Sequence, residues 1–187
     1  MSTWIAEDAV ILGDAEMADG CSVYFHTVIR TESDPIRIGR NTNIQDNCTV
    51  HTGRGYPVII GEGVTVGHGC IIHGCTIGDN TLIGMGSIIM DGAVIGRNCN
   101  IHKGVTIGQE NRGARKGTPT IGDRVWIGVN ATVVGKITIG DDVMIAPNAF
   151  VNCDVPSHSI AIGNPCVIIP RENATQGYIN HMVDETK

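Results

Sequence analysis

From Ile71 to Ile107 every sixth residue is isoleucine: Ile71, Ile77, Ile83, Ile89, Ile95, Ile101 and Ile107. The same step runs through Ile121, Ile127, Val133, Ile139, Ile145 and Val151, and upstream through Ile5, Ile11, Met17, Val23 and Ile29. Shorter runs at Ile38, Ile44 and Val50 and at Ile60 and Val66 bring the total to 23 frames. A helix repeats near 3.6 residues and a simple strand at 2, so neither favours this step. A short flat strand followed by a turn does, with one apolar side chain turned inward per side. The fifth position of each frame is small (Cys75, Thr81, Ser87, Ala93, Cys99) and the second is often glycine (Gly78, Gly84, Gly96). Three such sides close one coil of a triangular prism, and stacked coils pair at about 4.7–4.9 Å. The frames predict seven to eight coils, a parallel β-helix on the order of 35 Å tall.

Composition fits that core. Of 187 residues 25 are glycine, only 4% are aromatic and 17% are charged, so the interior is Ile, Val and small residues. The net charge of −6, with basic residues gathered only near Arg112, Arg115 and Lys116, argues against nucleic acid or an anionic membrane as partner. No apolar run approaches a membrane span and the start, MSTWIAEDAV, has no basic n-region, so a cytoplasmic location is expected. Seven cysteines, an odd number, argue against a disulfide framework. Cys21, Cys48, Cys70, Cys75 and Cys99 fall on the small fifth position and are expected as buried apolar groups.

Solenoids carry function in their interruptions and on outward side chains. Three extra residues lie between Ile29 and Ile38, four between Val50 and Ile60, and eight between Ile107 and Ile121; Val66 to Ile71 is one short. His51, His68 and His73 cluster around the second insertion and the short frame. His51 and His68 are 17 apart, close to one coil of 18, so they are expected side by side on neighbouring coils. His68 and His73 are nearly one side apart and so project from different faces. Diverging side chains close a metal site only if a second subunit supplies one of them, which predicts an oligomer. Three neutral imidazoles with an open fourth position are the set with which Zn2+ lowers the pKa of bound water to about 7.

NIQD with a histidine five residues beyond its Asp, VGHGCIIHGCTIG and GMGSIIMDGA, within residues 1–96, together resemble the gamma class of carbonic anhydrases. The hexapeptide pattern itself resembles the left-handed β-helix families, and the hand is taken from that resemblance. What the carbonic anhydrase resemblance implies is a homotrimer acting on CO2 and bicarbonate. Zn2+, or Fe2+ or Co2+, would sit at each subunit interface on His51, His68 and His73. Gln45 and Asp46 stand at the active-site Gln and Asp positions, with Asn43 in the same motif. Arg30 matches an interface arginine, and Glu32 stands where the family usually has Asp. The acidic insertion that carries a proton shuttle in the archetype is absent.

Residues 97–170 instead resemble serine acetyltransferases and related acetyl-coenzyme A enzymes, through NIHKGVTIGQENRGARKGTPTIGDRVWIG and the coils after it. That resemblance implies coenzyme A contacts at Arg112, Arg115, Lys116 and Trp126. Both expected general-base positions lack a base, since one falls on Ile83 and residues 109–120 hold no histidine; His102 is the stray candidate. The chain thus reads as one all-β domain over 1–170, two family likenesses joined near Gly96, and a short helix or tail over 171–187. Three functions compete: a carbonic anhydrase, an acyl-coenzyme A enzyme (O-acetyltransferase or thioesterase), and a non-catalytic scaffold.

Overall fold

The protein is described here by a computed structural model covering residues 2–179. Twenty-five short strands, numbered from β1 (Trp4–Ile5) to β25 (Val167–Pro170), wind into a left-handed parallel β-solenoid. They stack into three flat sheets of 10, 8 and 7 strands, called faces one, two and three. No helix occurs among the described residues, so none is long and apolar enough to cross a membrane.

The 23 frames read from the sequence correspond one for one to the first 23 strands. Their inward residues form an isoleucine-rich core: Ile29, Ile83, Ile89, Ile101 and Ile107 are each 0% exposed. A further parallel strand, β24 (Ser159–Ile162), extends face one, and antiparallel β25 closes it. Gly84 shows why the second position is small. A Cβ there would lie 2.6 Å from the His102 carbonyl carbon and the Lys103 nitrogen of the next coil. The residue before the fifth position takes a left-handed backbone in most frames. Asn47, Asn80, Asn98, Asn130 and Asn148 fill it at φ 54–59°, as do His26 and His158 at 57°. Those two histidines matched no motif and hold turn positions. His181 lies outside the described residues.

One expectation is corrected. The inward residue of β11 (Ile71–His73) is Ile72, fully buried, whereas Ile71 is 41% exposed. The short frame therefore lies between Ile72 and Ile77, after His73, and not between Val66 and Ile71. Two adjacent isoleucines satisfied either phase, and only pairing with the preceding coil (Ile72 beside Val50) decides it. Of the helix or tail expected after residue 170, residues 171–179 take the tail form, with successive turns and no helix; 180–187 lie outside the described residues. The left-handed backbone of Asn173 and Gly177 (φ 54° and 81°) stops any helix from propagating. The Asp142 carboxylate captures the Ala174 and Thr175 amides.

Candidate metal centre

His51 ends β8 (Thr49–His51) and His73 ends β11, and the two are register partners on adjacent coils of face two. This differs from the expected pairing of His51 with His68. The insertion after His51 lengthens its coil to 22 residues, so the position one coil on is His73. His51 Nδ1 lies 2.8 Å from His73 Nε2, and the rings meet edge-on at 4.8 Å. His73 Nδ1 lies 2.5 Å from Asp91 Oδ1. His51 Nε2 is buried, 3.5 Å from Glu32 Oε1, and has no hydrogen-bond partner. Arg30, one coil before His51 in register, bonds Glu32 Oε1 through a guanidinium N–H at 2.6 Å. That hydrogen bond and the adjacent charge hold the exposed Glu32 carboxyl below its ordinary range.

The other motif residues gather at the opposite edge of the same face. Asn43 lies on β7 (Asn43–Ile44) of face one; Gln45 follows it and donates Nε2–H to Asn43 Oδ1 at 2.8 Å. Asn43 Nδ2–H in turn donates to Thr65 Oγ1 at 2.9 Å. Asp46, in the turn leading to face two, holds His68 Nδ1 at 2.8 Å. The His68 side chain stands out from this corner and is 54% exposed. Among the described residues no three His, Cys, Asp or Glu groups converge within the chain as a metal cage. What each edge offers is half a set: two imidazoles at one, a single imidazole at the other.

The donor chemistry at the first edge suits a borderline cation. Zinc takes imidazole nitrogen as a ligand, and this edge holds two imidazoles with ring centroids 4.8 Å apart. His51 Nε2, buried without a hydrogen-bond partner beside the Glu32 carboxylate, is a polar atom whose cost a cation would remove. The cysteines lie elsewhere. Burial pushes the Cys75 and Cys99 thiols up to about 12, so they stay protonated inside the prism.

Comparison with known proteins bears on these two half-sets. Gamma carbonic anhydrase 1, mitochondrial, of Arabidopsis thaliana is 34% identical over 152 residues, covering 78% of this chain and 53% of that protein. A probable carbonic anhydrase of Methanocaldococcus jannaschii is 53% identical over 85 residues, covering 46% and 54%. This chain is a hexapeptide-repeat protein related to the gamma carbonic anhydrases. It spans about half the length of these curated relatives. Two repeat families also match: "Bacterial transferase hexapeptide (six repeats)" at residues 74–109 and 118–153, and "Hexapeptide repeat of succinyl-transferase" at 57–90. Among solved structures, the UDP-N-acetylglucosamine O-acyltransferase of Moraxella catarrhalis superposes with a TM-score of 0.65 at 18% identity. It covers 97% of this chain and 79% of that one, which shows the shared fold. Coverage of 78% also carries the gamma carbonic anhydrase likeness past residue 96, near mid-chain.

The residues read as coenzyme A contacts are not brought together. Arg112, Arg115 and Lys116 sit on an exposed hairpin between β17 (Thr106–Gly108) of face two and β18 (Thr120–Ile121) of face three. There Arg115 is paired with Glu110 at 3.0 Å. Trp126 lies on face one, buried between His102 (ring centroids 4.6 Å apart) and Tyr178 (5.2 Å). Burial lowers the His102 pKa. One residue at the centre, inside GMGSIIMDGA, is given no role by the sequence. Asp91 is 18 residues, one uninterrupted coil, beyond His73. A His and an Asp one coil apart were the available signal.

Proposed function

We propose that the protein is a zinc-dependent gamma-class carbonic anhydrase, interconverting CO2 and bicarbonate at sites shared between subunits of a homotrimer. The observation that carries this reading is the pair of half-sets at opposite edges of face two. His51 and His73 lack a third imidazole, and His68, an edge away, faces outward with its Nδ1 side held by Asp46. A rotationally repeated contact brings the His68 edge of one copy to the His51–His73 edge of the next, and a closed ring satisfies every edge. Ile71 and Leu12, 41% and 53% exposed on the same face, are apolar surface that such a contact covers.

Zinc in a three-histidine set supplies a Lewis acid that brings the pKa of water to about 7. The chain's own groups do the rest. Asp46 fixes His68 through Nδ1, leaving Nε2 as the free nitrogen. Gln45 spends one amide N–H on Asn43 and keeps its other N–H and its carbonyl oxygen for a bicarbonate-sized ligand. Arg30 keeps Glu32 ionised beside His51, an anionic neighbour for a cation held there. The acyl-coenzyme A alternative has less to stand on, because its basic loop and Trp126 occupy different faces.

The test joins metal analysis, solution mass and stopped-flow CO2 hydration. We expect about one zinc or iron per chain, a trimer, and hydration reduced to the uncatalysed rate in His51→Ala. A wild-type protein that hydrates CO2 no faster than His51→Ala would overturn the reading. A metal-loaded, inactive trimer would make it a scaffold.

A further inference from the structure

Asp91 is the one acidic side chain bonded to the outer nitrogen of His73, and nothing above gives it a task. A carboxylate only accepts hydrogen bonds, so the contact at 2.5 Å puts the His73 proton on Nδ1. His73 Nε2 is then a lone pair, and its 2.8 Å contact with His51 is filled by the His51 Nδ1–H. His51 Nε2, 3.5 Å from Glu32 Oε1, is left buried without a hydrogen-bond partner. Asp91 thus settles the His73 tautomer, while Glu32 is the carboxylate that faces His51.

The chain around Asp91 is shaped to hold it. The insertion after His51 closes on itself through paired backbone hydrogen bonds between Gly53 and Tyr56, at 2.9 and 3.3 Å. A Cβ on Gly53 would stand 3.1 Å from Asp91 Oδ1. A Cβ on Gly74, in the shortened turn after His73, would overlap Asp91 Oδ1 and lie 2.7 Å from Tyr56 Cβ. The Tyr56 ring edge reaches over Gly92, and the Asp91 side chain is left 24% exposed. The insertion and the short turn thus form one slot for one carboxylate.

We infer that Asp91 is a positioning residue, holding His73 in the Nδ1–H form so that its Nε2 presents a lone pair, which a divalent metal ion takes in place of the His51 N–H. The inference rests on the metal-centre reading above, and its test separates the two. In the metal-free protein, 15N NMR of the His73 ring is expected to report the Nδ1–H tautomer in wild type and in Asp91→Asn, whose amide oxygen still accepts. A mixed or reversed tautomer is expected in Asp91→Ala. Zinc dissociation constants from chelator competition should rise by about 10–100-fold in Asp91→Ala and by less in Asp91→Asn, at unchanged solution mass. An unchanged His73 tautomer in Asp91→Ala overturns the inference, as does wild-type zinc affinity in both variants. If Asp91→Ala does not fold, Asp91→Asn decides: zinc affinity equal to wild type counts against the inference and a measurable loss supports it. A wild-type protein that takes up no zinc defeats the metal reading alone, and the tautomer measurement still decides the role of Asp91.

Discussion

At the scale of single residues, the centre depends on glycines as much as on histidines. Gly74 and Gly55 share a left-handed backbone (φ 53° and 80°) but differ in surroundings. A Cβ at Gly55 meets nothing within 4 Å, whereas at Gly74 it meets Asp91 and Tyr56. Gly55→Ala should cost the backbone strain alone, about 1–2 kcal/mol. Gly74→Ala should cost more than that and also weaken metal binding, because the Asp91–His73 contact must shift. Thermal unfolding and zinc titration of the two variants check this; equal unfolding temperatures would refute the steric argument. The same residues show where sequence reading stopped. His51, His68 and His73 were singled out from spacing, but their partnership was not, since the insertion moves the register by four residues. Asp91 lies within GMGSIIMDGA, but its link to His73 shows in the sequence only as a distance of one coil.

At the scale of elements, the strands were legible and the terminal segment was not. Each strand announces itself by an inward Ile or Val at a fixed step. Residues 172–179 carry no repeat, and their conformation is set from outside. Asp142 accepts hydrogen bonds from the Ala174 and Thr175 amides (3.1 and 3.0 Å) and the Thr175 hydroxyl (2.7 Å), and holds His158 Nδ1 at 2.9 Å. Burial pushes the Asp142 carboxyl up, but the hydrogen bonds from Thr175, His158 and Ala174 outweigh it and leave it below its ordinary 3.8. The bond to Asp142 raises His158 above 6.5, against weaker opposition from burial and Arg124; Glu172 adds to the rise. The signs define a window. Asp142 stabilises docking above pH 3.8 and loses that contribution as pH falls through its lowered value. His158 stabilises docking below pH 6.5 and loses its share as pH climbs through its raised value. Docking should therefore be tightest between about pH 4 and 6.5. Trp126 fluorescence in a Trp4→Phe background reports it, because Tyr178 stacks on Trp126. His158→Ala should remove the upper limb only. Asp142→Ala, losing charged hydrogen bonds of about 1.5–3 kcal/mol each before allowance for solvent, should undock the segment at every pH. A fluorescence profile that is flat from pH 4 to 8 in wild type would count against this latch.

For the whole molecule, the decisive property is that each coil touches only its neighbours. The regular step made this legible from sequence, and it explains how carbonic anhydrase-like and transferase-like repeats overlap along one continuous prism. It also makes stability and the metal centre separable by position. Ile72 lies in the coil that carries His73, between register partners Val50 and Ile89, while Ile139 lies on the last strand of face three, far along the axis. Both are buried to within 1% exposure. Truncating either to alanine removes three methyl or methylene groups from a packed layer, at about 2–5 kcal/mol. In a globular core such equal losses would be felt throughout; in a solenoid they propagate only through adjacent coils. We therefore expect Ile72→Ala and Ile139→Ala to lower stability comparably in denaturant, yet only Ile72→Ala to weaken zinc binding. Hydrogen exchange should localise the lost protection to the coils flanking each site. Equal loss of zinc affinity in both variants would mean that the prism responds as one body, and the independence of distant coils would have to be given up.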